Sequence, residues 1–155
     1  MRESVETRQW VVPTERVLDL VRNARSFVLI DCDCRTHYQR CDHPVETCLL
    51  INDAADAVLE RGIGRRVPLT EVEQVLRHAN ERGLVHLTIY DPQQYVYTMC
   101  SCCSCCCHDL QFLKRYGRSD LIAQSEYVAQ TDMEVCIHCG DCVERCVFGA
   151  RVWQD

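Results

Sequence analysis

Two stretches of the chain carry the same run of apolar and polar positions. In "VPTERVLDLVRNA", from Val12, the residues Val17, Leu20, Val21 and Ala24 fall at i, i+3, i+4 and i+7. In "VPLTEVEQVLRHA", from Val67, the residues Val72, Val75, Leu76 and Ala79 do the same, so the stretches align without a gap at a shift of 55. The spacing predicts two helices that each bury one face, with Pro13 and Pro68 where each begins. The first leads through "SFVLI" to Cys32-x-Cys34 and the second to Cys100-x-Cys102, an internal repeat. The second arm is longer because "GLVHLTIY", a "DPQQ" turn and "YVYTM" read as a hairpin. His86 alternates there with Leu84, Thr88 and Tyr90, on what the pattern makes the less buried face. "CLLINDAADAVLERG" reads as a helix beginning at Cys48 and capped by Gly62, and "CHDLQFLKRYG" as another capped by Gly117. The expectation is an α+β protein. A helical and β-hairpin repeat module, winged-helix-like in order, covers residues 1–120, and a smaller module covers 121–155.

Composition changes what holds these elements together. Apolar residues make up 47% of the 155, but 14 residues are cysteine, so the hydrocarbon core is smaller than that figure implies. A small core with many cysteines predicts stapling by disulfides or metal, and an apo protein that is largely unfolded. The N-terminus has no apolar stretch of signal-peptide length, and no segment approaches the ~20 apolar residues of a membrane span. These features predict a cytoplasmic chain with reduced thiols and no membrane insertion. In "MCSCCSCCCHDL" the cysteines are so crowded that disulfide pairing would be ill-defined, which favours metal. The formal net charge of -6 disfavours nucleic acid and suits a partner with a basic docking face.

The sharpest motif is "CIHCGDCVERCVFGA": Cys136, Cys139, Cys142 and Cys146 in a C-x2-C-x2-C-x3-C spacing. Ligands every third residue wrap one corner of a cubane, and Gly140 allows the close approach or positive φ such a loop needs. The motif resembles that of bacterial-type [4Fe–4S] ferredoxins, over about the last thirty residues. The resemblance implies a half-ferredoxin module on which the repeat module packs, with Tyr127–Thr131 and Ala150–Trp153 as paired extended segments. It departs from that family at Val147, where proline is usual. A four-cysteine zinc site is the competing assignment, although zinc motifs favour separated cysteine pairs. In two-cluster relatives the fourth cysteine serves the other cluster; on that wiring this single motif needs remote thiolates from upstream.

Two groups could supply them. Cys32, Cys34, Cys41 and Cys48 lie within seventeen residues and can close one site alone. Cys100, Cys102, Cys103, Cys105, Cys106 and Cys107 form the dense run. Successive residues of an extended chain face opposite ways, so vicinal Cys102 and Cys103 are expected at different sites. The order Cys-x-Cys-Arg, Cys-x-His-Pro-x-x-x-Cys, "GLVH", dense run and ferredoxin tail resembles an uncharacterised group of iron–sulfur proteins of anaerobic microbes. With four ligands from each of three regions the count reaches three [4Fe–4S] cubanes, leaving two cysteines of the run over. Of the histidines, His108 is the candidate for a ligand or proton-handling role. His43 is a candidate donor to cluster sulfide, and His138 a polar loop residue.

The function expected from this reading is electron transfer, as a carrier or subunit relaying electrons to or from a larger oxidoreductase, a flavoprotein among the candidates. A homo-oligomer is compatible with it. Two alternatives stand beside it. One is an enzyme using a noncubane or site-differentiated cluster at Cys100 to Cys107. The other is a redox-sensing DNA-binding protein that meets phosphate through Arg61, Arg65 and Arg66, although Glu71 and Glu73 would repel the backbone.

Overall fold

A computed structural model describes residues 8–91, 95–118, 120–123 and 125–153. The chain divides into two compact units, 1–125 and 126–155. The first is α+β. Its strands are β1 (Arg8–Val11), β2 (Phe27–Asp31), β3 (Glu46–Ile51), β4 (Arg65–Arg66), β5 (Val85–Asp91), β6 (Tyr95–Cys102) and β7 (Ile122–Ala123). Its helices are α1 (Thr14–Arg22), α2 (Asp33–Tyr38), α3 (Asn52–Glu60), α4 (Leu69–Glu81) and α5 (His108–Tyr116). The strands form one mixed sheet in the order β4-β2-β3-β6-β5-β1-β7, antiparallel except where β1 meets β7. The Pro92–Gln94 part of the expected hairpin turn lies outside the described residues.

The two matching helices begin where their prolines predict, at Pro13 and Pro68. They bury Val17, Leu18 and Val21, and Val72, Leu76 and Ala79. Together α1 and α4 cover one sheet face and pack on Leu29, Leu49 and Met99. Full burial of each such side chain contributes about 1.5–3 kcal/mol relative to exposure. On the other face α3 sets Ala55 against Val28 and Leu50, and α5 sets Leu110 against Leu87. This sheet unit therefore owns a hydrocarbon core, larger than the composition implied.

The repeat extends through the topology. The amide of Val12 donates to the His86 carbonyl in β5, and that of Val67 to the Phe27 carbonyl in β2. Each half thus lends the strand before its helix to the other half's edge, as β1 pairs with β5 and β4 with β2. The counterpart of β3 is β6, the two lying side by side at the centre with Leu49 opposite Met99. Continuing that register sets Cys48 opposite Cys100. Cross-strand pairing, not equivalence within the repeat, brings these two cysteines together. The Cys-x-Cys pairs that the sequence aligns do not occupy equivalent places, since Cys32 follows β2 whereas Cys100 lies in β6.

Two local expectations are corrected. Cys48 lies within strand β3, and the helix expected from it starts only at Asn52. The run "CLLI" is buried on both sides of a central strand, and such a run has the same apolar look in a strand or a helix. His86 is 3% exposed, with Leu84 and Thr88 equally buried, because helices cover both faces of β5. The ends at Gly62 (φ 71) and Gly117 (φ 63) fall where expected.

The second unit has one short helix, α6 (Asp141–Glu144), and among its described residues only Gly140 is buried. No strand is assigned at Tyr127–Thr131 or Ala150–Trp153, though Arg151 Nη1 donates to Thr131 Oγ1 at 2.8 Å across them. Among the described residues no helix is long and apolar enough to cross a membrane.

Candidate metal centres

All fourteen cysteines are free thiols, and the ten in the sheet unit form two groups. The first is a row on the α3/α5 face. Cys32, at the end of β2, stands beside Cys48, which neighbours Cys100; Cys100 neighbours Cys102, and Cys102 neighbours Cys107 at the start of α5. Cys34, in the first turn of α2, sits near Cys107 and Cys32 and receives the backbone N–H of His108. The thiols share protons unequally. Hydrogen bonds from Cys102 and Cys48 hold Cys100 well below the ordinary thiol range, and Cys102 likewise lowers Cys107. Their partners pay the difference: Cys102 and Cys48 are pushed up chiefly by Cys100, and Cys32 by Cys48.

The second group is a tetrad: Cys41, Cys103, Cys105 and Cys106. Their sulfurs all lie within 4.8 Å of one another, the only such set of three or more metal-ligating side chains among the described residues. Cys41 Sγ stands 3.8 Å from both Cys103 Sγ and Cys106 Sγ. Cys41 arrives on the loop that follows Gln39, the left-handed (φ 48) end of α2. The other three come from the turn between β6 and α5, closed by the Cys107 amide on the Cys103 carbonyl at 3.1 Å and by the Gln111 side chain on the Ser104 carbonyl. Vicinal Cys102 and Cys103 thus go to different groups, as strand alternation requires. The expected set of Cys32, Cys34, Cys41 and Cys48 is divided, because Cys41 joins the tetrad while Cys32 and Cys48 join the row.

A buried cation lies between the groups. Arg35, 2% exposed on α2, donates from Nη1 and Nη2 to the Ser101 carbonyl at 2.9 Å and to Thr47 Oγ1. Its Nε has no hydrogen-bond partner. No carboxylate pairs with it among the described residues; burial opposes its charge, while Cys32, Cys103 and Cys48 favour it. Beyond the Ser101 carbonyl and the Thr47 hydroxyl, this buried guanidinium has only thiols for charge partners, which favours their anionic form, the state in which thiols bind metal. The donor set and this orphaned N–H both fit thiolate-bound metal. Ser101 Oγ also contacts His86 Nδ1 at 3.0 Å, and burial lowers the His86 pKa to about 4. His108 Nε2 meets Tyr38 Oη at 2.9 Å rather than a sulfur. His43 Nδ1 is buried without a partner. Arg35 is the residue that sequence reading missed; its place in "CDCRTHYQRC", amid three cysteines, was the available signal.

The third group belongs to the C-terminal unit. Cys136, Cys139 and Cys142 line a cavity of about 680 Å³ with Gly140 and Trp153. Gly140 has φ 87, and a Cβ there would stand 2.5 Å from Trp153 Cζ2, so both reasons expected for glycine apply. Cys146 lies outside that lining. Its sulfur accepts the Ala150 amide at 3.3 Å. Burial opposes its thiolate, but the amides of Phe148, Ala150, Arg151 and Gly149 outweigh burial and lower its pKa. His138 is exposed at φ 55.

No protein family, curated protein or solved structure matches this chain.

Proposed function

We propose that the chain is an iron–sulfur electron-transfer protein, working as a carrier or as a subunit of a larger oxidoreductase. The observation that carries this reading is that all fourteen cysteines are free thiols, four of them with sulfurs within 4.8 Å of one another. The three cubanes counted from sequence become three metal centres. One [4Fe–4S] cluster belongs to Cys136, Cys139 and Cys142, with Cys146 as the fourth cysteine of the motif. A second iron–sulfur cluster belongs to the row, and the tetrad is the third centre. When bound, such clusters supply reversible one-electron storage.

The chain's own residues do the rest. Arg35 offsets thiolate charge at both sheet-unit groups and so favours the reduced state. Helix α5 and its Leu110 keep water from the row. Vicinal Cys102 and Cys103 hold row and tetrad one peptide apart, so an ion at the tetrad would brace the chain beside the row. The acidic surface suits a partner with a basic face, a flavoprotein among the candidates.

Iron and acid-labile sulfide analysis of anaerobically purified protein, with EPR after dithionite reduction, tests the reading. About eight irons with matching sulfide are expected from two cubane-sized clusters; protein without sulfide overturns it. One observation favours a second reading. Six thiols in the row exceed what a cubane takes, which suits an enzyme with a noncubane or site-differentiated cluster, revealed by a substrate-sensitive EPR signal. Two of the three cations of the DNA-binding alternative are engaged in ion pairs. Arg65 is held by Glu46 and Glu71 at 2.6 and 2.5 Å, and Arg66 by Asp56 at 3.0 Å.

A further inference from the structure

The geometry points to a single tetrahedral metal ion, zinc or iron, held by Cys41, Cys103, Cys105 and Cys106 without inorganic sulfide. This inference concerns the tetrad alone and does not depend on clusters at the other two groups. Distance carries it. Metal–sulfur bonds of about 2.3 Å place the sulfurs of a tetrahedral site about 3.8 Å apart. Cys41 stands 3.8 Å from Cys103 and 3.8 Å from Cys106, and no sulfur pair exceeds 4.8 Å. A cubane needs more room. Each thiolate then sits on its own iron at a separate corner, with eight core atoms enclosed between them. The remaining thiols show the contrast, since neither the row nor the C-terminal loop gathers three sulfurs within 4.8 Å.

The surroundings suit a closed ion site. Cys103 and Cys106 are 4% and 0% exposed. The Cys106 amide donates to Cys103, and the Arg40 amide to Cys106, the outer hydrogen bonds that orient thiolate ligands. Four thiolates around a divalent ion carry two net negative charges, and the buried Arg35 guanidinium beside Cys103 offsets one. With all four positions filled by protein, no site remains open for substrate, which marks a structural centre. The ion ties the loop after α2 to the turn between β6 and α5, two segments without regular structure.

X-ray absorption at the zinc and iron edges of the intact protein, combined with metal and sulfide analysis of Cys41→Ser, tests this. Cys41 lies on a loop outside the sheet's aliphatic core, and far-UV circular dichroism checks that the variant folds. The expected result is loss of one metal equivalent with sulfide unchanged, the lost element identifying the ion. Loss of several irons together with sulfide overturns the inference, and so does unchanged metal content. Should Cys41→Ser fail to fold, absorption on the wild type decides: a four-sulfur shell near 2.3 Å without a metal–metal distance is expected for zinc. If iron occupies the tetrad, the same decision comes from Cys105→Ser. The electron-transfer reading fails separately, by absence of sulfide from a protein that still binds one ion here.

Discussion

The sheet unit and the C-terminal unit hold their cysteines by opposite means. In the first, twelve large or β-branched side chains are almost wholly buried, and the thiols occupy an end of a framework that hydrocarbon packing already fixes. In the second, Gly140 alone is buried among the described residues, while Val135 and Ile137 are 73% and 83% exposed beside the cysteines. One region has a hydrocarbon core apart from its thiols. The other has little but its cysteines to fold around. The tight tetrad and the 680 Å³ cavity follow the same division.

Metal removal should break the comparison most visibly. Anaerobic chelation is expected to abolish amide hydrogen-exchange protection in residues 126–155 while β2, β3, β5 and β6 keep theirs. Thiolate-bound metal can contribute ~10 kcal/mol or more to a small domain, more than two short turns and a four-residue helix supply. Uniform loss of protection across both units would show that the sheet core is not self-sufficient.

Arg35 sharpens the other side. Arg35→Met removes the cation and leaves the surrounding thiolates uncompensated, a change of about 3–5 kcal/mol when a buried charge loses its partner. Titration with a competing chelator should show weaker metal retention at both sheet-unit groups, and none of the effect at the C-terminal loop. Equal weakening in both units would separate Arg35 from the sites.

The two units also differ in how much of them could be read from sequence. The α1 and α4 faces, the helix ends at Gly62 and Gly117, and the parting of Cys102 from Cys103 follow from local periodicity and backbone conformation. Cys48 did not, because a four-residue apolar run fits a strand or a helix until its neighbours are known. The company of Cys41 was hidden for a stronger reason. Its sulfur meets Cys103 and Cys106 across more than sixty positions of sequence, and spacing within "CDCRTHYQRC" carries nothing about that. In the C-terminal unit nearly every relevant contact is local, so the motif and its glycine were legible at once.

Acid should distinguish the sheet unit further. Burial lowers the His86 pKa to about 4 from an ordinary 6.5, so between these values the unfolded chain binds more protons. Stability from this group is complete above about pH 6.5 and falls as pH drops toward 4, by about 3 kcal/mol in all. Denaturant melts of wild type and His86→Gln at pH 7 and pH 4.5 should show a smaller acid loss in the variant. An identical loss would show that His86 does not remain neutral on folding.

The finest division lies within the C-terminal unit, between two glycines of positive φ. Gly140 (φ 87) and Gly149 (φ 66) both stand in the left-handed region, where a side chain costs about 1–2 kcal/mol. They differ in surroundings: a Cβ at Gly140 would meet Trp153 Cζ2 at 2.5 Å, whereas one at Gly149 meets nothing within 4 Å. Gly149→Ala therefore measures backbone strain alone, and Gly140→Ala measures strain plus displacement of an indole from the wall of the cysteine cavity. If that wall encloses a bound cluster, Gly140→Ala should release iron to a chelator several-fold faster than Gly149→Ala. Equal rates would mean that the indole yields without opening the site, leaving the loop backbone as the sole holder of what the three cysteines bind.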